Sequence, residues 1–589
     1  MLFVSGPWVM VRYFLTAVIS FCCLPAVFGA ESPTRFIPPD VNLVIRIDNP
    51  RALIESINHL NAFQDAQKLY LVQRFLDRAP LRRFFESITF AERELGSPWP
   101  IVLDQLGGGG IALAVSIQED ENNPFLLAIQ STNTQQLERI FKKIISIQKS
   151  ERGDDSPMAV KQKNYASNTL YTFDGTTHLG IVDGALLVSN RSNLLEKSID
   201  QIRLNESDQK KDQVRLIQRL ETDLKMLPGK PLASVWYDLH YLKVRPGIKD
   251  LLKTPRENAL FTFLFAGWLD IIRRSNHAVL GLHRVQGGVQ LALRMPAGRD
   301  GMADDVAIHL PRPHNQPGTL PLLEPAQVLY SHSFYFDFGT LYTNRAQIMT
   351  KQSAIDFEKN LEQASRFLPS ANLKTMINQL GTYHRIVAVS RPLRGVYQKQ
   401  PEVRFPQFAL VTTLRDQELV PSLQKLIRAA GLLASTQVEL NLSEYRYQGT
   451  PMLVYRFGEA KPFSRDPQGI RFNFQPSFAA VRDQFIFASS KELCTELIDM
   501  VRTEDRSHLP AQNLSVRAYA AGIADTLNLT IDQLVTQTIL DQGIARSESQ
   551  KQVEALLSFL RSLGTASIAT EYKNHEFAFD ILWQYAPKP

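Results

Sequence analysis

At 589 residues the chain is too long for one ordinary core, so its length predicts two to four domains. Hydrophobic residues make up 44% and charged residues 21%, the balance of a folded globular protein with material for sizeable cores. The net charge is +6, a mild excess with no dense Lys/Arg run; this argues against nucleic-acid binding and gives weak attraction at most to anionic surfaces.

Residues 10–30 read as a secretory signal. Arg12 supplies the positive charge, Tyr13 to Leu24 the apolar stretch, Pro25 the break, and Val27-Phe28-Gly29-Ala30 the small residues suited to cleavage. An uncleaved anchor is the alternative, disfavoured because the apolar run falls short of the roughly 20 residues that span a bilayer. Cys22 and Cys23 lie in this segment. The mature chain then keeps Cys494 alone, which predicts no intramolecular disulfide and a buried, inert thiol.

Residues 43–47 form a strand pattern. Asn49 and Pro50 open a helix carrying Leu53, Ile54 and Ile57. Amphipathic helices are expected over 62–96, with Leu71, Phe75, Leu81, Phe84 and Phe85 in the core. The run Gly107–Gly110 has no following Lys-Ser or Lys-Thr and precedes a strand at 111–117, so it reads as a helix stop, not a phosphate loop. A strand at 125–129 leads to a helix at 135–147 capped by Thr134. Residues 159–190 read as an antiparallel meander with hairpin turns at Asp174-Gly175 and Asp183-Gly184. A strand follows at 232–237. The most apolar stretch of the mature chain, 259–269, predicts a buried helix; eleven residues cannot cross a bilayer. A hairpin at 279–294 closes this half.

Proline and glycine crowd residues 296–325, which mark a linker or crossover. His309 and His314 lie there without the ligand spacing of a metal site. The pattern then returns: an opening strand at 328–336, helices over 353–380, strands at 385–390 and 408–412, a helix at 419–430, a hairpin at 478–489, and a closing hairpin at 568–582. Gln105, Leu106, Gly107, Ala114, Val115 and Ser116 recur 274 positions later as Gln379, Leu380, Gly381, Ala388, Val389 and Ser390. The expected architecture is α+β, made of two homologous halves, each a mainly antiparallel sheet with packed helices. The segments are a signal peptide at 1–30, a first repeat at 31–295, a linker at 296–325 and a second repeat at 326–589.

This layout resembles exported bacterial proteins of unknown function with a duplicated α+β ectodomain. The resemblance implies an exported location, whether periplasm, cell envelope or medium, and carries over no catalytic residues. The chain contains no His-Glu-x-x-His, Cys-x-x-Cys, Gly-x-Ser-x-Gly or Walker loop, so no catalytic, cofactor-binding or metal residues are assigned and no cofactor is expected. The leading expectation is a non-enzymatic interaction or scaffold protein. The alternatives are a periplasmic carrier of an apolar ligand, lined by Phe261, Phe263, Phe265 and Trp268, and a hydrolase with an unrecognised site. The expected partner is a protein or an apolar ligand, with membrane contact only through an uncleaved anchor. The three readings differ in requirement: an apolar cavity, converging polar groups in a cleft, or an exposed patch.

Overall fold

The computed structural model describes residues 32–58, 96–118, 123–152, 159–203, 208–252, 259–303, 306–310, 318–366 and 373–585, with isolated positions between 66 and 93. The signal segment, most of the helices expected at 62–96 and their five core residues lie outside these. About 41% helix and 29% strand, with antiparallel sheet and packed helices, make the protein α+β. The chain divides into two compact units. The first holds residues up to Arg245 and Asn276–Arg294; the second holds Pro246–Ser275 and everything from Met295.

The first unit carries ten strands: β1 (Leu43–Ile47), β2 (Gly110–Val115), β3 (Phe125–Gln130), β4 (Lys161–Tyr165), β5 (Asn168–Phe173), β6 (Thr177–Val182), β7 (Ala185–Ser189), β8 (Ala233–Asp238), β9 (His277–Val285) and β10 (Gly288–Met295). Their order across the sheet is 4-5-6-7-3-2-1-8-9-10, all antiparallel. The helices are α1 (Pro50–Asn58), α2 (Trp99–Gly107), α3 (Thr134–Arg152), α4 (Ser192–Arg203), α5 (Asp208–Asp223) and the short α6 (Leu239–Val244). Both faces of this sheet are covered. Leu53 and Ile54 of α1 and Phe141 and Ile145 of α3 pack with Leu113 and Leu127 on one face. On the other, α4 covers Leu126 and Leu187 while α5 covers Ala112, Ala114 and Trp236.

Local chemistry explains the turns. Asp174-Gly175 and Asp183-Gly184 all take positive φ, the backbone of a type I′ hairpin. The glycine run stops α2, and Gly110 at φ 106° starts β2. Asn49 caps α1 through its Oδ1, 3.0 Å from Ala52 N. The cap of α3 is Asn133, whose Oδ1 lies 3.1 Å from Gln136 N; Thr134, expected as the cap, is already helical.

The second unit opens in sequence with a short helix at Pro246–Leu251, followed by α7 (Ala259–Arg274). Its strands are β11 (Val328–Tyr335), β12 (Leu380–Val389), β13 (Gln407–Leu414), β14 (Leu440–Tyr447), β15 (Thr450–Phe457), β16 (Ser477–Val481), β17 (Gln484–Ala488), β18 (Leu514–Tyr519), β19 (Thr565–Tyr572) and β20 (Phe577–Gln584). They lie in the order 14-15-16-17-13-12-11-18-19-20, again all antiparallel, the order of the first sheet element for element. Helices α8 (Lys351–Arg366), α9 (Leu373–Gln379), α10 (Leu419–Ser435), α11 (Lys491–Thr503), α12 (Ala520–Asn528), α13 (Ile531–Gln542) and α14 (Arg546–Ser562) follow.

Helix α11 buries Leu493, Cys494, Leu497 and Ile498 against Val387, Ala409, Val411 and Ile486. Burial pushes the Cys494 thiol up to about 12, so it stays protonated and unreactive. The proline-rich segment is anchored here: Leu320 and Leu323 are buried, and their carbonyls accept from the hydroxyls of Ser333 and Ser331.

Candidate functional site

The aromatic stretch expected to line an apolar ligand site sits on α7. The side chains of Phe261 and Phe263 lie outside those described. Trp268 packs edge-on against Phe577 and Phe579, with ring centroids 5.2 Å away in each case, so its ring is part of the second unit's packing. Phe265, three residues earlier on the same helix, is 42% exposed. The helix is anchored by buried Asp270, which accepts from Arg273 at 2.6 Å and Arg274 at 2.7 Å.

A polar cleft of about 470 Å³ opens in the first unit, lined by Arg219, Asp223, Asp238, His240, Lys243, Asn276 and His277. Helix α5 supplies the first two, and the last position of β8 supplies Asp238. Asp223 Oδ2 accepts from Trp236 Nε1 at 2.8 Å and lies 3.4 Å from His277 Nδ1. Arg219 stacks on the Trp236 ring at 5.1 Å and reaches Asp238 Oδ2 at 3.5 Å. Asp238 Oδ1 also caps α6.

His277 is buried and its Nε2 has no hydrogen-bond partner. Burial lowers its pKa, so the ring is neutral at pH 7, and Asp223 beside Nδ1 favours the tautomer that leaves Nε2 as a proton acceptor. Among the described residues the cleft lining carries no hydroxyl or thiol, so the partner this His–Asp pair could activate there is water.

The second unit carries a different surface. Opposite the face covered by α11, the side chains of β11, β12, β13, β17 and β16 form a cross-strand row: His332 beside Ile386, Ile386 beside Leu410, Leu410 beside Phe487, Phe487 beside Phe478. Phe408 stands next in the adjacent row, opposite Ala388. Period-two alternation sends Val387, Ala409 and Val411 into the core and leaves these residues on the other face.

Among the described residues no helix covers the centre of that row. Ile386 is 36% exposed, Phe408 and Leu410 42% each, and Phe405 just before them 39%. Helix α10 reaches only one end, where Leu423, Leu426 and Ile427 pack with Phe478, Ala480 and Phe485. Phe474 lies 6.4 Å from Phe405 and 6.1 Å from Phe408, extending the aromatic surface beyond the strand ends.

The neighbouring residue on the same strand is treated in the opposite way. Arg385, one position from exposed Ile386, is wholly buried. It donates to Glu504, to Gln484 Oε1 and, at 3.1 Å, to the Pro321 carbonyl. Arg506 closes the network on Glu504 at 3.0 Å and on Asp483 at 2.9 Å. Every charge here is answered, so the network is a structural clasp.

Local sequence gave no sign of the open face, because each alternating set of side chains on β13 holds apolar residues, Ala409 and Val411 in one and Phe408, Leu410 and Leu414 in the other. The signal that finds it is a comparison of coverage. Leu127 on β3 is buried under Phe141 and Ile145 of α3, whereas Leu410 on β13 has no such cover. His309 rests its ring on Phe336 at 5.1 Å, and His314 lies outside the described residues. Among the described residues no three His, Cys, Asp or Glu side chains are placed to share a metal ion, and no helix is long and apolar enough to cross a membrane.

No family model matches the chain, and no curated protein does. Among solved structures it is similar to three crystal forms of TP0453, a Treponema protein. Form I has 11% identity over 47% of this chain and 82% of that one, at a TM-score of 0.22. Form III has 12% identity, with 47% and 84% covered and a TM-score of 0.21; form IV has 11%, with 46% and 81%, at 0.22. Similarity at this level carries no argument about fold or function.

Proposed function

We propose that the chain is an exported, non-enzymatic interaction protein, built by internal duplication, that binds through the open apolar face of its second unit. The observation that carries this reading is the exposed row Ile386, Leu410 and Phe408 on a regular sheet whose opposite face is fully packed. Monomeric proteins seldom leave aromatic and aliphatic side chains side by side in water without a use for them. Duplication is supported by the identical order of ten strands in the two units and by the recurring Gln-Leu-Gly turn. Export is supported by Arg12, the apolar run after it and the small residues ending at Ala30.

Carriage of an apolar ligand is the second reading, favoured by the same face and by exposed Phe265. A hydrolase draws less support: the cleft at His277 and Asp223 offers a general base for water but, among the described residues, no serine, threonine or cysteine in its lining.

The double variant Phe408→Ser, Leu410→Ser tests the proposal. Both side chains are at the surface, so stability should change by about 1 kcal/mol or less. Native mass spectrometry of protein taken from its host's envelope fraction should show the wild type with a bound species and the variant without it. An unchanged bound species on the variant would move the site elsewhere.

A further inference from the structure

We infer that the open face docks on an anionic lipid surface, a conclusion that rests on the binding role just given to that face. The apolar row ends at a rim made by two loops, residues 390–406 between β12 and β13 and residues 458–476 between β15 and β16. The loops are tied together: Glu402 N donates to the Gln468 carbonyl at 3.0 Å, and Asn473 Nδ2 donates to the Val403 carbonyl at 2.8 Å. Asn473 Oδ1 also accepts from Phe405 N at 2.9 Å, which fixes the exposed Phe405 at the junction of rim and face.

These 36 residues hold seven Lys/Arg against three Asp/Glu, a local excess of four positive charges in a chain whose net charge is +6. Some of the cations are spent internally. Arg391 pairs with Glu496 at 2.6 Å, Arg471 pairs with Asp466 at 2.9 Å, and Lys399 Nζ donates to the Glu459 carbonyl at 2.6 Å. Four are not: Arg394, Arg404, Lys461 and Arg465 are exposed and make no side-chain hydrogen bond or ion pair among the described residues.

Unpaired cations beside exposed aromatic rings match an anionic bilayer surface on both counts. The cations meet phosphate headgroups, and Phe405 and Phe408 meet the acyl boundary. A protein partner with an acidic rim around an apolar centre is the competing occupant. The lipid is favoured because the four cations sit on long side chains in loops, suited to a diffuse negative charge.

The test is co-sedimentation of the full chain with phosphatidylcholine vesicles, with and without phosphatidylglycerol. The wild type should pellet with the anionic vesicles, lose that binding as salt rises, and remain in solution with neutral ones. Arg404→Gln with Arg465→Gln should weaken binding about thirtyfold, since each basic residue near an anionic surface contributes about fivefold. Phe408→Ser with Leu410→Ser should weaken it roughly tenfold or more. Equal binding to both vesicle types, or variants as tight as the wild type, overturns the inference. If no vesicle binds but a photo-reactive group at position 408 cross-links to a protein in the host, the lipid inference falls and the binding role of the face stands. If neither occurs, both fall.

Discussion

His332 stands in the middle of an otherwise apolar row, between Val516 and Ile386, with its ring 4.6 Å from that of Phe334. Its Nε2 is buried and has no hydrogen-bond partner, and burial takes its pKa down to about 4. His384 is also held near 4, but Thr412 and the Phe336 carbonyl satisfy both of its nitrogens. The sign follows from proton counting. Between the ordinary value near 6.5 and about 4 the unfolded chain binds these protons and the folded chain does not. Stability is therefore fully present above about pH 6.5 and falls as pH drops toward 4, by on the order of 3 kcal/mol per histidine.

Replacing His332 by Phe removes one of these protons and an unsatisfied nitrogen. Thermal unfolding should show the variant at least as stable as the wild type at pH 7, with a smaller loss on acidification. A variant whose pH dependence matched the wild type would mean that His332 does not titrate as its burial requires.

At the scale of elements, the Gln-Leu-Gly turn shows how one motif serves two settings. In the first unit Gly107 ends α2, and a Cβ there would meet only Ile129 Cγ2 at 3.4 Å. In the second unit Gly381 already lies in β12, and a Cβ would come within 2.1 Å of Thr413 Oγ1 and 2.7 Å of the Thr413 backbone carbon. Gly381→Ala should therefore cost about 1–3 kcal/mol, while Gly107→Ala stays within about 1 kcal/mol of the wild type. Denaturant midpoints of the two variants check this, and equal costs would show that the close approach at Gly381 relaxes freely.

Elements with strong local chemistry were legible in the sequence. The meander of β4 to β7 was announced by its two Asp-Gly turns, and α1 by Asn49 and Pro50. The cap of α3 was misplaced by one residue because Asn133 and Thr134 are both good caps, and only the observed hydrogen bond to Gln136 separates them.

At the scale of the whole molecule, the sequence's strongest internal match is out of step with the packing. Aligned 274 positions apart, Ala114 falls on Ala388. Yet Ala114 lies on the face covered by α4 and α5, and Ala388 on the face opposite α11. A slip of one residue turns every side chain over, and β12 carries a register shift between Leu380 and His384. What the units share is strand order, which no short alignment reveals.

The open face was hidden for a related reason. Whether an apolar strand is covered depends on where a distant helix lands, and α10 lands on Phe478 and Phe485 and leaves Leu410 bare. The central claim, that this bare face is where the protein binds, is tested most directly by a photo-reactive side chain at position 408 in the living host, with one at exposed Lys551 on α14 as control. The account predicts efficient cross-linking from 408 to a single class of molecule and little from 551. Equal yields from both positions, or none from 408, would contradict it.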